Sequence, residues 1–309
     1  MALIAIDPGF FTTVQDDGRP GYREWGVPCG GAFDRGSAEL ANALLGNPPG
    51  CAVLEFTLVG GTYRADCSMP LALAGAPMEA KVLGPNEADR FLQLPSSFSL
   101  REGECLVLGR NLTGARTYLA VRGGWQTVRT LGSRSSEKRL RSGEVLPAAQ
   151  GTIPTRRLGD PPWRSSTDEP FRIIAGPDGR SHPELDLAFW SVRRFRVGPQ
   201  SSRMGLRLQG DPVTVTSPPG RLSTPVAPGA IQVAGGQLIV LGVACGTMGG
   251  YPHIAYLASI DLDRAGQLKP GDALAFCLVT LEEARALDRT ARQARAVELR
   301  RLAALVEDA

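Results

Sequence analysis

Short stretches of alternating apolar and polar residues, closed off by glycine or proline, recur along the chain and predict strands. Residues 53–58, VLEFTL, place Leu54, Phe56 and Leu58 on one face and Glu55 and Thr57 on the other. Residues 254–262 alternate through Ile254, Tyr256, Ala258, Ile260 and Leu262, and residues 213–216, VTVT, alternate as well. The apolar runs at 117–121, 171–174, 238–245 and 273–279 read as strands buried on both faces. Many strands at close spacing with Gly and Pro between them point to barrels or sandwiches.

Three segments carry a helical pattern instead. Asp34 is placed to cap a helix over 35–45, with Gly46 as its left-handed stop. Ser181 or His182 is placed to cap a short helix with Pro183 at its first position and Glu184 in its first turn. Residues 281–306 bring Leu281, Ala284, Leu287, Ala291, Ala294, Leu302 and Leu305 near one face, with Arg and Glu opposite. Residues 148–170 hold four prolines and no periodicity. That stretch divides the chain into an N-terminal β lobe, 1–147, a Pro-rich linker, 148–170, a C-terminal β-barrel lobe, 171–280, and a C-terminal helix, 281–309.

Composition narrows the function classes. The 309 residues are 43% hydrophobic and 21% charged, with a formal net charge of +3. So small a charge gives no electrostatic case for nucleic acid or a membrane surface as partner. The start, MALIAIDPG, lacks the basic and apolar regions of a signal peptide, and no run approaches the roughly 20 apolar residues of a membrane helix, so a cytoplasmic protein is expected. The six cysteines are scattered, and the two histidines lie far apart. With no C-x₂₋₄-C pair, neither a metal site nor a disulfide framework is expected.

The stretch at 241–255, LGVACGTMGGYPHIA, poses the chemical question. No lysine follows Gly249 or Gly250, so it is not a Walker loop, and no helix pattern follows, so it is not a Rossmann turn. Cys245 lacks both the G-x-S-x-G frame and a paired base, so it is expected to be a structural thiol and no catalytic nucleophile is assigned. What remains is a strand–turn–strand connection whose backbone N–H groups can hold a carboxylate or an oxyanion. Arginines are dense at 129–141 and 191–207. Arg134 in GSRSS and Arg203 in SSRMG sit among small residues that leave room for a bidentate fork, and Arg19 lies between Gly18 and Pro20.

The stretch GVPCGGAFDRGSAELANALLGNPPGCAVLEFTLVGG resembles the allophanate hydrolase subunit 2 family, also called the KipA or biotin-dependent carboxyltransferase-like family. The similarity continues through TYLAVRGGW and LGSRSS, SSRMGLRLQG, GAIQVAGGQLIVL, GTMGGYPHIA and DLDRAGQLKPGD, in order over roughly 13–276. It implies a mostly β, two-lobed, cyclophilin-like barrel architecture with a few short helices. It further implies the role of the C-type subunit of 5-oxoprolinase, in an ATP-dependent hydrolase acting on a small cyclic amide. A KipI-like partner, the B-type subunit of 5-oxoprolinase, and a lactam-utilisation-type subunit would accompany it. The chain would hold no tight cofactor, since ATP would be used by the complex. Two alternatives stay open: carboxyl transfer from biotin carried on another chain, as in urea carboxylase, and a non-catalytic regulatory role.

In this reading Arg134 and Arg203 would hold a substrate carboxylate, Gln232 and Thr247 would bond the amide, and Gly249 and Gly250 would offer backbone donors. Arg19, Tyr251 and Gln267 would complete the site. The chain departs from the family where an acid and a glutamine usually precede the T-x-GGYP motif, here Ala244 and Gly246, and where GVPPSGAMD becomes GVPCGGAFD.

Overall fold

The computed structural model describes residues 1–84, 88–149, 156–157, 169–181, 193–215 and 220–307. The chain is mostly β and forms two compact units. The first comprises Met1–Arg19, Gly30–Arg164 and Ala294–Ala309, and the second comprises Pro20–Cys29 and Ser165–Gln293. Each unit thus takes in a segment from beyond the 148–170 stretch or from before it. Within that stretch Arg156–Arg157 pairs antiparallel with Ser96 and Ser97, and 150–155 and 158–168 lie outside the described residues.

The first unit is built on two six-stranded sheets. One runs in the order Val145–Pro147, Ala2–Asp7, Val59–Ala65, Cys105–Asn111, Met78–Leu83, Arg90–Phe91. The other runs Arg156–Arg157, Ser96–Leu100, Met69–Gly75, Arg116–Val121, Val53–Thr57, Phe11–Gln15. Leu3, Tyr63, Leu106 and Val82 of the first meet Leu54, Phe56, Leu71 and Leu119 of the second in one buried core. The chain passes between the sheets at Leu58, which has φ of 64° and both backbone groups bonded, to Ala115 O and from Asn111 N. The strand read over 53–58 therefore ends at Thr57, because Leu58 is the corner.

The far face of the second sheet is covered by the helix Arg35–Ala43, through Ala38, Leu40 and Ala41 against Ala72, Ala74 and Tyr118, with Leu302 on the same cluster. Asp34 caps that helix as the sequence predicts, accepting from the Ser37 backbone at 2.9 Å and the Ser37 hydroxyl at 2.6 Å. Glu55 lies on this covered face and is fully enclosed. It accepts from the Phe33 backbone and the Tyr118 hydroxyl, each at 2.9 Å, and stands 3.4 Å from Arg116.

The second unit is an eight-stranded sheet, ordered Ala273–Leu274, Phe195–Val197, Gly205–Gln209, Gln237–Leu241, Ala230–Ala234, His253–Leu257, Phe171–Ala175, Phe276–Leu278. Its two edge strands are separated in sequence by Ala275 alone, so the sheet nearly closes into a barrel. Phe171, Phe195, Leu206, Ile231, Val240, Ile254 and Phe276 fill the interior. The run at 273–279 is thus two strands and not one.

Two further readings give way. The alternation at 254–262 continues past the strand His253–Leu257 into a 3₁₀ turn, Ser259–Asp261, and a short helix, Leu262–Gly266. The buried Asp261 carboxylate holds that turn, bonding Arg172 at 2.9 Å and Arg264 at 2.7 Å. Residues 213–215 form no strand, although Val213 is buried. The short helix seen is Pro177–Ser181, and the one expected at 183 lies outside the described residues.

The terminal helix Leu281–Glu307 begins with Thr280 and Glu283 bonding each other's backbone N–H in a capping box. Its apolar stripe is only partly covered: Ala284 and Leu302 are buried, whereas Leu281 and Leu287 are exposed.

Candidate functional site

The glycine-rich stretch lies at one end of the barrel. After Gln237–Leu241 the chain leaves the sheet, turns through 242–246, adds the two-residue strand Met248–Gly249, and returns as His253–Leu257. Met248–Gly249 pairs with Thr224–Pro225. Backbone bonds tie the turn down: Gly242 N to Met204 O at 2.9 Å, Ala244 N to Arg203 O at 3.1 Å, and Val226 N to Thr247 O at 3.0 Å. Arg23 donates to Val226 O and to Gly246 O. The connection is the strand–turn–strand unit expected from sequence.

The glycines matter for space more than for conformation. Gly246, Gly249 and Gly250 all have ordinary φ. A Cβ at Gly249, however, would stand 2.5 Å from Gln232 Nε2 and 2.8 Å from Val226 Cγ1. At Gly250 the first neighbour would be Ser223 Oγ, at 3.5 Å.

Gln232 is 4% exposed and His253 is 1% exposed. The Gln232 amide nitrogen lies 2.6 Å from His253 Nε2 and 3.4 Å from Tyr251 O. The His253 backbone donates to Asp178 Oδ2 at 2.6 Å, and Arg221 grips that carboxylate with two bonds, at 3.0 and 2.6 Å. Burial pushes the His253 ring below its ordinary value; Asp178 draws it partly back and Arg221 opposes that. The ring is therefore neutral at physiological pH. Burial would raise the Asp178 carboxyl, but the Arg221 and His253 N–H bonds hold it below the usual range.

Of the residues singled out from sequence, Arg203, Gln232, Thr247, Gly249, Gly250 and Tyr251 are all on or against this end of the second unit. Arg203 is 4% exposed, and its carbonyl anchors Ala244. Tyr251 is largely exposed. Gln267 is buried at the end of the helix Leu262–Gly266, where its backbone N–H bonds Arg264 O. Cys245 is buried, and burial pushes its thiol up, with Arg23 beside it drawing it partly back. A thiol in that state is a poor nucleophile. All six cysteines are free. Among the described residues no group of His, Cys, Asp and Glu is placed to hold a metal ion.

Arg19 and Arg134 belong to a different arrangement, in the first unit. Arg19 donates to Thr130 O at 3.0 Å and to Ser135 O; Arg134 donates to Thr127 O and, at 2.7 Å, to Gln126 Oε1. Both forks brace the loop that carries them. The centre of that loop is Asp16, which accepts from Gly18 N at 2.8 Å and from Ser133 Oγ, Ser135 Oγ and Arg134 N, each at 2.6 Å. Burial would raise the Asp16 carboxyl, but these donors more than offset it and hold it below the usual range.

Sequence reasoning passes over Asp16, Asp178, Arg221 and Arg23. Asp16 sits in a stretch of turn residues where three acids compete for attention. Asp178 and Arg221 are 43 residues apart and meet only in the fold.

The second unit is thus a nearly closed barrel with an anchored Gly-Gly-Tyr turn at one end and a buried amide–imidazole pair beside it. The model of the carboxyltransferase domain, subdomains A and B, matches residues 25–278, and the chain belongs to that family. The C subunit of the 5-oxoprolinase of Escherichia coli K12 is 33% identical, over 91% of this chain and 93% of that one. The crystal structure of TTHA0988 superposes with a TM-score of 0.78 at 31% identity, over 89% of this chain and 56% of that one. Kluyveromyces lactis urea carboxylase superposes with a TM-score of 0.81 at 26% identity, over 95% of this chain but 29% of that one. The chain thus spans little more than half of TTHA0988 and less than a third of the urea carboxylase. No helix among the described residues is long and apolar enough to cross a membrane.

Proposed function

We propose that the chain is the C-type component of an ATP-dependent 5-oxoprolinase complex, a hydrolase that opens a small cyclic amide. The observation that carries this reading is the extent of the similarity. It takes in nearly all of the E. coli 5-oxoprolinase C subunit, 93% of its length, whereas it takes in 17% of the urea amidolyase of Lachancea kluyveri. The identity is also higher, 33% to the E. coli C subunit against 28% to the urea amidolyase.

The chemistry of the barrel end agrees with that role. Opening a lactam needs the carbonyl activated, a water added to it, and the ring C–N bond broken with a proton delivered to nitrogen. The protein's share is a set of fixed donors and acceptors around the amide, where one oxyanion donor is worth about 3–4 kcal/mol. Backbone groups of Gly249 and Gly250, the Thr247 hydroxyl and the Gln232 amide would serve that purpose, with Arg203 facing the substrate carboxylate. Nucleotide chemistry would come from a KipI-like partner of the B type and a lactam-utilisation-type protein, because the chain has no P-loop sequence.

The test is reconstitution. Mixing this chain with those two partner types, ATP and 5-oxoproline should yield glutamate and ADP, and omitting the chain should abolish both. Carboxyl transfer from a carboxybiotinyl carrier to urea, with no lactam turnover, would assign the chain to the biotin-dependent branch instead. Full lactam turnover by the partners alone would make it regulatory.

A further inference from the structure

The buried pair Gln232–His253 has more structure than a packing contact requires. One Gln232 atom faces two groups at once, His253 Nε2 at 2.6 Å and the Tyr251 carbonyl oxygen at 3.4 Å. Tyr251 O can only accept, so that atom is the amide nitrogen. An NH₂ group donating to the ring requires His253 Nε2 to be unprotonated, with the ring proton on Nδ1. The Gln232 Oε1 atom accepts no bond from any described residue and is not among the fully buried atoms without partners.

We propose that His253 is a specificity-determining positioning residue: as a neutral ring it holds the Gln232 amide nitrogen inward, so that Gln232 offers Oε1 as an acceptor to an N–H of a small amide beside the Gly249–Tyr251 turn. The substrate side of this inference rests on the amidohydrolase reading above, whereas the hydrogen-bond geometry does not. Nothing in the family resemblance assigns His253.

Protonation would reverse the arrangement. A His253 ring carrying hydrogens on both nitrogens cannot face an NH₂ group, so the Gln232 amide must turn over. Oε1 would then accept from Nε2–H, but it would also stand against Tyr251 O, acceptor to acceptor, and the NH₂ group would point outward. The turn would lose a tie, and Gln232 would offer a donor where it had offered an acceptor. The charged groups that act on the ring are Asp178, from the helix Pro177–Ser181, and Arg221. Asp178 is bound two-pronged by Arg221, which blunts its pull on a ring proton. Burial favours the neutral ring, so the acceptor form is the one present at neutral pH.

The first test needs no partner. The chain has only two histidines, so nitrogen NMR of ¹⁵N-histidine-labelled protein gives two ring systems, and His253 is identified by its contact with the Tyr256 ring, 6.2 Å away between centroids. The expected result is an Nδ1–H tautomer at neutral pH and a titration in acid that the Gln232 side-chain NH₂ signals follow with the same midpoint. Gln232→Glu offers only acceptors and should move the His253 midpoint upward. An Nε2–H tautomer at neutral pH, or Gln232 signals indifferent to the ring, would overturn the inference.

The second test uses the reconstituted complex. The KM for 5-oxoproline should rise about tenfold as pH falls through that midpoint, with kcat changing less, the size expected for one lost hydrogen bond of about 1.4 kcal/mol. A KM flat across the midpoint would overturn the specificity role. Failure to hydrolyse any lactam would count against the proposed function and leave the tautomer result standing.

Discussion

Both units contain a compact knot of polar groups, and the two knots are finished differently. In the first, Asp16 accepts four hydrogen bonds, Ser135 both donates to Asp16 and accepts from its backbone, the Arg19 fork ends on two backbone oxygens, and the Arg134 fork ends on Thr127 O and Gln126 Oε1. The geometry is that of a brace. In the second, His253, Asp178 and Arg221 are tied together, but the chain of bonds ends on Gln232 with one acceptor not used by the described residues. A polar cluster that satisfies itself holds a loop in shape, and one that stops short has capacity left for a ligand. By that criterion Arg134, whose guanidinium donates to Thr127 O and Gln126 Oε1, belongs to a brace.

The comparison can be pressed by substitution. The largest effect is expected at Glu55, below the capped helix of the first unit. Glu55→Ala removes the acceptor of Phe33 N–H and Tyr118 O–H and strands Arg116 in a buried setting, which should destabilise by about 3–5 kcal/mol in urea unfolding. Asp16→Ala comes next, at about 2–3 kcal/mol, the range for bonds to a charged group.

The Asp16 knot also has a pH signature. The folded carboxyl titrates below the ordinary value of 3.8, so its contribution is fully present above that pH and is lost as pH falls through the folded value. Thermal midpoints of Asp16→Asn should therefore show a shallower acid decline than wild type, and parallel curves would count against a charged brace.

Gly249→Ala forces a Cβ against Gln232 and Val226 and should cost about 1–3 kcal/mol, while Gly250→Ala stays within about 0.5 kcal/mol. Equal effects at the two glycines would remove the packing argument for the turn. In the reconstituted complex Arg203→Lys should weaken 5-oxoproline binding by about 1–3 kcal/mol with little change in thermal midpoint, and the equivalent Arg134→Lys should show the reverse. The smallest effect belongs to Cys245→Ala, which should leave turnover within a few-fold. A loss of about a thousandfold would restore it as a nucleophile.

Much of the fold is readable because it rests on local rules. Asp34 caps its helix, the apolar runs at 117–121 and 171–174 are strands, and the Gly-Gly-Tyr stretch joins two strands. Three of the misreadings share one cause. Each follows an apolar pattern past the point where the tertiary structure ends the strand: at Leu58, where the chain changes sheets; before Asp261, where two arginines hold a turn; and at Ala275, where the barrel seam falls. The site is less readable. Its glycines stand out in the sequence, but the reason for Gly249 is the Gln232 side chain beside it, 17 residues earlier in the chain.

The sequence by itself determined the class of element at most positions, the scattered free thiols, and membership of a family through a series of motifs in order. It could do so because periodicity, capping and turn chemistry act over a few residues, and because ordered motifs are improbable by chance. Only the tertiary structure decided which polar groups are used up and which are not. Arg19 and Arg134 were braces, and the Gln232 amide nitrogen was engaged by His253 and Tyr251, only once residues from elsewhere in the chain had come within hydrogen-bond reach. Whether a buried polar atom is satisfied depends on the whole set of neighbours within about 3 Å of it, and no local pattern in the chain carries that information.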